Sequence, residues 1–292
     1  MDDLVEGLRR GDRRALSRFL SRIETDPTAA EPGLAALYAS TGRARTVGIT
    51  GPPGAGKSTL VAALAQELRA RGGTVAVLAI DPSSPLTGGA LLQGLARDAG
   101  VFVRSMGSRG MVGGLSATTL DAMLALDAFG FDHVLLETVG AGQDEVDVRH
   151  AVQSVVLVQP PGAGDAIQAL KAGVLEVADC YVVNKADQPG ADLMAAELHT
   201  LLGLGPSPAW APPVVLTIAT QGEGLPALAD ALDRHRSHLE YSGEWGRCTP
   251  GGLAGAAPAA GPAAGVAHPP RPAGGLGRPG AARRPHALRR GP

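Results

Sequence analysis

Cysteine, lysine and long apolar runs are all scarce in this chain, and each scarcity excludes a class of protein. Two cysteines, Cys180 inside an apolar run and Cys248 near the end, build neither a disulfide framework nor a cysteine metal cluster. Both thiols read as passive. No apolar stretch reaches the ~18 residues that a membrane-spanning helix needs. The start, Met1-Asp2-Asp3, lacks the basic and apolar regions of a secretory signal, so the expected location is the cytoplasm, with no membrane partner. A basic body is also missing. Residues 242–292 hold seven arginines and one acid, Glu244, a charge of +6; with −2 for the whole chain, residues 1–241 carry −8. Non-specific nucleic-acid binding needs basic groups to displace counterions, and this body does not offer them. Lysine is outnumbered 23 to three by arginine, and two of the three lysines, Lys57 and Lys185, fall inside the motifs below. Those positions suit a compact ammonium rather than a guanidinium.

What is present is a hydrophobic fraction of 45%, enough for a substantial core. From Asp2 to Glu24, Leu4, Val5, Leu8, Leu16, Phe19, Leu20 and Ile23 fall near helical spacing between Arg9, Arg10, Arg13, Arg14, Arg18 and Arg22. This pattern predicts one or two amphipathic helices in an N-terminal extension over 1–44. The arginine run reads as a solvated helix face, with a docking surface as the alternative. From 45 to 241, short apolar runs alternate with helix-length segments. Strands are predicted at Thr46–Thr50, Thr74–Ile80, Val101–Arg104, His133–Glu137, Ser154–Gln159, Cys180–Asn184 and Val214–Ile218, and helices at Ser58–Arg71, Asp165–Val177 and Ala191–Leu202. Continuous apolar strands alternating with helices predict an α/β fold with a mainly parallel sheet flanked by helices. In 242–292, Gly, Ala, Pro and Arg fill 40 of 51 positions without periodicity, which predicts a disordered tail.

Gly51-Pro52-Pro53-Gly54-Ala55-Gly56-Lys57-Ser58, followed by Thr59, has the P-loop spelling, directly after a strand and before a helix. Its glycines let successive N–H groups turn around a phosphate, and the helix N-terminus adds positive potential. Lys57 is then placed to bridge β- and γ-phosphates, and the Ser58 hydroxyl to ligate Mg²⁺. Asn184-Lys185-Ala186-Asp187 follows a strand and has the N-K-x-D spelling. The Asp187 carboxylate suits N1–H and the 2-amino group of guanine, Asn184 would steady the loop and the Lys185 stem would cover the base. Two acids compete for the metal, Asp81 at the end of one strand and Glu137 at the end of another; one could bind directly and one through water. Gln143 is the candidate for orienting a hydrolytic water, three residues beyond Gly140, whose N–H is the candidate γ-phosphate contact. That offset predicts slow hydrolysis without a partner. The loop from Pro160 to Asp165 reads as a switch or as an ordinary connection. His235 and His238 are the only close histidine pair and read as residues of a solvated helix, not the His or Cys cluster that a nickel-delivery GTPase would want.

Together these stretches resemble the methylmalonyl-CoA mutase-associated GTPases, the ArgK/MeaB-type proteins also known as LAO/AO transport system ATPases. Beyond the two motifs the likeness rests on Asp81-Pro82-Ser83-Ser84, Thr87-Gly88-Gly89, Ser108-Arg109-Gly110, Glu137-Thr138-Val139-Gly140-Ala141-Gly142-Gln143 and Pro161-Gly162-Ala163-Gly164-Asp165. The resemblance implies a P-loop GTPase domain over 45–241 and a Mg·GTP-dependent chaperone that escorts adenosylcobalamin to methylmalonyl-CoA mutase and protects the loaded enzyme. It makes Asp165, Gln168 and Lys171 part of a further switch toward the mutase. The competing reading is a nucleotide-dependent kinase or ATPase of an arginine/ornithine transport system. This chain departs from the family twice. Gln93-Gly94-Leu95 stands where a Gly-Asp-Arg-x-Arg-Met stretch is usual, and the tail after Arg247 replaces the helical arm through which the family forms homodimers.

Overall fold

The computed structural model describes residues 1–80, 94–95, 97–107, 115–138, 144–162, 178–203 and 209–245, with only the backbone for 144–147. They lie in one compact unit, Met1–Ala256; a second, Ala257–Pro292, falls wholly outside the described residues. The predicted disorder of the tail is therefore a matter outside them from residue 246 onward.

The strands are β1 Arg45–Thr50, β2 Val75–Ile80, β3 Val101–Met106, β4 His133–Glu137, β5 Ser154–Gln159, β6 Cys180–Asn184 and β7 Val214–Thr217. They form one sheet of order β3-β2-β4-β1-β5-β6-β7, every pairing parallel. Every strand was legible in the apolar runs, and β4, β5 and β6 agree with the sequence reading to the residue. β3 runs two residues further than predicted, because Ser105 and Met106 continue the pairing with Ala79 and Ile80. β7 stops one residue early, because Ile218 turns to bridge Glu223. All residues of β1, β5 and β6 are buried, which explains why they read as unbroken rather than alternating patterns.

The helices are α1 Asp2–Arg9, α2 Arg13–Thr25, α3 Pro27–Leu37, α4 Lys57–Ala70, α5 Ala117–Phe129, α6 Asp144–Ala151, α7 Ala191–Leu202 and α8 Leu225–Ser242. Within the helical extension expected over 1–44, the apolar periodicity is read only from Asp2 to Glu24, and α3 lies beyond it. That helix starts at Asp26-Pro27, where Asp26 accepts a hydrogen bond from the Ala29 N–H and Pro27 supplies a preset φ. The helix predicted over Asp165–Val177 lies outside the described residues. On one sheet face, α4 and α8 bury Leu60, Leu64, Leu228 and Leu232 against Val47, Ile49, Val77 and Val156. On the other, α1, α2, α3 and α5 pack Leu16, Phe19, Ile23 and Met123 against Leu78, Val134 and Leu136, in one core. The N-terminal helices also cover an edge of the sheet. Arg13 donates to the Val101 carbonyl at 2.8 Å, and Arg104 of β3 donates to Glu24 and, at 3.1 Å, to Ser21. Asp127, buried on α5, accepts the backbone N–H groups of Gly42, Arg43 and Ala44 at 2.5, 3.2 and 2.8 Å, which sets the path into β1.

His235 corrects the sequence reading. It lies on α8, but 4% exposed, because it continues the inward row of Leu228, Leu232 and Leu239. Its Nδ1 meets the Ser154 hydroxyl at 2.8 Å, its ring lies 4.8 Å from that of Trp210, and its Nε2 is 3.5 Å from Asp179. Burial, then His238 and Arg149, lowers His235 to about 4, so the contact with Asp179 is not an ion pair at neutral pH. His133 is also lowered to about 4, by burial and by Arg45. The Asp179 carboxyl is raised to about 6 by burial, against the Val155 N–H and Arg149.

Between pH 4 and 6.5 the unfolded chain therefore binds protons that both folded histidines refuse. Their stabilising effect is complete above pH 6.5 and is lost as pH falls, on the order of 2 kcal/mol each by about pH 5. Asp179 acts in the opposite sense, since its folded form keeps a proton up to about pH 6 that the unfolded chain has released. The melting temperature is expected to fall between about pH 7 and pH 5, and to fall more steeply in Asp179→Asn. A calorimetric series across that range checks it; a flat profile would contradict a neutral His133 and His235.

Candidate functional site

β1 lies between β4 and β5, so the chain leaving it emerges at the carboxyl edge in the middle of the sheet, where strand order reverses. There Gly51 to Gly56 make the turn into α4. Gly51 has φ 139°, and a Cβ on it would stand 2.1 Å from the Val158 carbonyl oxygen. Gly56 has φ 88°, and a Cβ there would stand 2.5 Å from Asn184 Nδ2. Both positions therefore require glycine for space as well as for conformation. Lys57 and Ser58 open α4. The buried Lys57 ammonium donates to the carbonyls of Gly51 at 2.9 Å and Pro52 at 3.2 Å, folded back over its own loop.

Glu137 ends β4 beside Ile49, and the Thr138 N–H donates to the Ile49 carbonyl at 3.2 Å, which continues the ladder past the strand end. The Glu137 carboxylate, 8% exposed, accepts the Ser58 hydroxyl. These two predicted metal ligands thus come together from separate elements. A hydroxyl and a carboxylate in contact, both oxygen donors, are the chemistry that Mg²⁺ takes from a protein. The third predicted ligand, Asp81, lies outside the described residues. So do Gly140, Gln143, Asp165, Gln168 and Lys171. Among the described residues no group of three or more His, Cys, Asp or Glu is placed to hold a metal ion.

The guanine-type motif stands beside the P-loop, not merely on the same sheet edge. Asn184, at the end of β6, donates from Nδ2 to the Ala55 carbonyl at 2.9 Å. Its Oδ1 accepts the Thr217 hydroxyl at 3.1 Å and the Ala219 N–H at 3.2 Å. Lys185 takes the left-handed conformation, φ 60°, and its ammonium donates to the Gly54 carbonyl at 2.8 Å. The turn leaves Asp187 exposed. The sequence reading passed over Thr217 and Ala219. The available signal was another strand end running into a glycine-containing turn, Gly222 and Gly224 ahead of α8. The Ala186 N–H also donates to the Thr217 carbonyl, at 3.0 Å, so this third loop holds the second from two sides.

The profile of the family described as "Methylmalonyl Co-A mutase-associated GTPase MeaB" matches residues 14–249. A protein of Pyrococcus abyssi named as a GTPase is 48% identical over 253 residues, 83% of this chain and 78% of its own length. GTPase ArgK of Escherichia coli is 34% identical over 256 residues, 82% and 77% of the two chains. The mouse methylmalonic aciduria type A homolog, a mitochondrial protein, is 34% identical over 269 residues, 84% of this chain and 65% of its own. Among solved structures, that of an LAO/AO transport system kinase superposes with a TM-score of 0.72 at 28% identity, covering 85% of this chain and 78% of the other.

Asn184→Ala would strip partners from the Ala55 carbonyl, the Thr217 hydroxyl and the Ala219 N–H at once. Unsatisfied buried groups cost about 1–3 kcal/mol each, reduced where water enters. The expected result is a clear drop in melting temperature and at least tenfold weaker guanine-nucleotide binding, on the order of 1.4 kcal/mol. Denaturation and nucleotide titration of the purified variant check both.

Proposed function

The chain belongs to the methylmalonyl-CoA mutase-associated GTPase MeaB family, and from that membership we propose that it binds and slowly hydrolyses Mg·GTP as a chaperone for methylmalonyl-CoA mutase. Its service is to assist adenosylcobalamin loading and to protect the loaded enzyme. The observation that carries the nucleotide part is the Asn184–Ala55 hydrogen bond, which locks a guanine-type loop to a phosphate-type loop.

Each side chain then has a task. The N–H groups between Gly51 and Thr59 receive phosphate oxygens, aided by the N-terminal end of α4. Lys57 exchanges the Gly51 and Pro52 carbonyls for the β- and γ-phosphates, a short displacement because it already lies over the loop. Ser58 and Glu137 would hold the cation, with Asp81 as a further carboxylate. Bound Mg²⁺ supplies neutralisation of charge on the phosphate oxygens. Asp187 accepts from N1–H and the 2-amino group of the base, and the Lys185 stem lies against its face. Gly140 and Gln143 are assigned to the γ-phosphate and the attacking water. Asp165, Gln168 and Lys171 are assigned to signalling toward the mutase.

The kinase reading draws on the name of the superposed structure, and the products separate the two. Free phosphate supports a GTPase, while label on an acceptor supports a kinase. Asp187→Asn is expected to weaken GTP binding by at least about tenfold and to improve binding of xanthosine triphosphate, whose 2-oxo group accepts from the new amide. Competitive titration with GTP, ATP and xanthosine triphosphate measures this, and equal affinity of the wild type for ATP and GTP would refute the base assignment. The chaperone assignment predicts a complex with the cognate mutase and faster phosphate release on binding. Absence of a complex in the GTP, GDP and empty states would refute that part alone.

A further inference from the structure

The exposed side of α2 carries a charge pattern that the fold does not use. Arg14, Arg18 and Arg22 recur at intervals of four and so line one side of the helix, opposite the buried Ala15, Leu16, Phe19, Leu20 and Ile23. Arg22 has a partner on its own helix end, Asp26 at 3.3 Å. Arg14 and Arg18 have no side-chain partner among the described residues and repel each other one turn apart. This is unexpected in a body with eight more acids than bases, where a carboxylate opposite either guanidinium would be easily supplied.

The row is held rigidly. Arg13, the neighbour of Arg14, is fixed to the Val101 carbonyl at the start of β3, and Glu24 is fixed to Arg104 further along that strand. α2 therefore runs alongside β3 toward the carboxyl edge of the sheet, the edge that carries the Ser58–Glu137 pair.

We propose that Arg14, Arg18 and Arg22 form the docking strip for a carboxylate-rich surface of the partner protein, laid along α2 so that it reaches toward the nucleotide edge. This deepens the reading above and rests on it, since the partner meant is the mutase. Guanidinium forks pair with carboxylates in two parallel hydrogen bonds, and a protein offers them locally. An extended polyanion would meet instead the repulsion of a body at −8.

The test compares the full chain with Arg14→Glu/Arg18→Glu and with Arg14→Lys/Arg18→Lys. Each is titrated with cognate mutase, with GTP, and with a DNA duplex and phosphatidylserine vesicles as polyanion controls. The wild-type complex should weaken as salt rises from about 50 to about 300 mM. The glutamate pair should lose at least tenfold in mutase affinity while melting temperature and GTP affinity stay at wild-type values, and the lysine pair, which keeps the charge but not the two-bond fork, should fall between wild type and the glutamate pair. Equal mutase binding by wild type and glutamate pair would overturn the strip and leave the chaperone reading intact. Loss of duplex or vesicle binding with mutase binding unchanged would assign the row to polyanions and likewise overturn it. A wild type that binds no mutase in any nucleotide state would defeat the chaperone reading itself, and the strip with it.

Discussion

The contact between Asn184 and the P-loop is the constraint on which the rest of the site depends. One buried amide uses its donor on the Ala55 carbonyl and its acceptor on Thr217 and Ala219, so three loops from three strand ends share one side chain. It fits because Gly56 has no Cβ; a methyl group there would stand 2.5 Å from the amide nitrogen. The glycine thus serves two requirements at once, a left-handed φ and a vacant volume. The contact holds the P-loop and the N-K-x-D loop, two loops with nucleotide-binding spellings, side by side.

That geometry is maintained from behind by α8. The helix begins just past the Thr217–Ala219 loop, and a spread of polar contacts fixes its length to the sheet. Asp233 pairs with the buried Arg45 of β1 and with Arg71 at the end of α4, which also reaches Asp230 and the Pro226 carbonyl. His235 closes on Ser154 at the start of β5. These contacts tie α8 to β1 and α4, the strand and helix that enter and leave the P-loop, and to β5 beside them. The exposed Arg71 pairs add little energy individually, and their contribution is to orientation. The buried leucines between α8 and α4 supply the larger apolar term.

Sequence reading succeeded where chemistry and chain geometry coincide locally. The P-loop and the N-K-x-D stretch were legible because each is a contiguous spelling bounded by apolar strand and helix, and β4, β5 and β6 were legible to the residue because each is a short apolar run closed at one or both ends by a polar residue, His133 and Glu137, Ser154 and Gln159, and Asn184. It failed where the deciding partner is distant. His235 read as a surface residue because its neighbours His238, Arg234 and Arg236 are polar, and nothing nearby in sequence announces Ser154, 81 residues earlier, or Trp210. The helix α3 has an alanine-rich, glycine-containing sequence with Pro32 inside it, and only its Asp26 cap and its packing on α2 mark it.

What the sequence by itself determined is the set of reactive groups and the order in which they appear. The ammonium, hydroxyl, carboxylates and glycines sit at strand ends because a parallel α/β chain must turn there, and turns at the carboxyl edge are where backbone N–H groups and side chains are free to meet a ligand. What only the tertiary structure decided is which of these groups touch. Ser58 and Glu137 are 79 residues apart, Asn184 and Ala55 are 129 apart, and no local periodicity encodes either contact. Strand order does: β1 is inserted between β4 and β5, which sets Glu137 beside Ile49 and carries the chain end of β6 toward the P-loop. That order is selected by the burial of whole strand and helix faces, a cooperative quantity summed over the core, so it becomes readable only once the sheet is assembled.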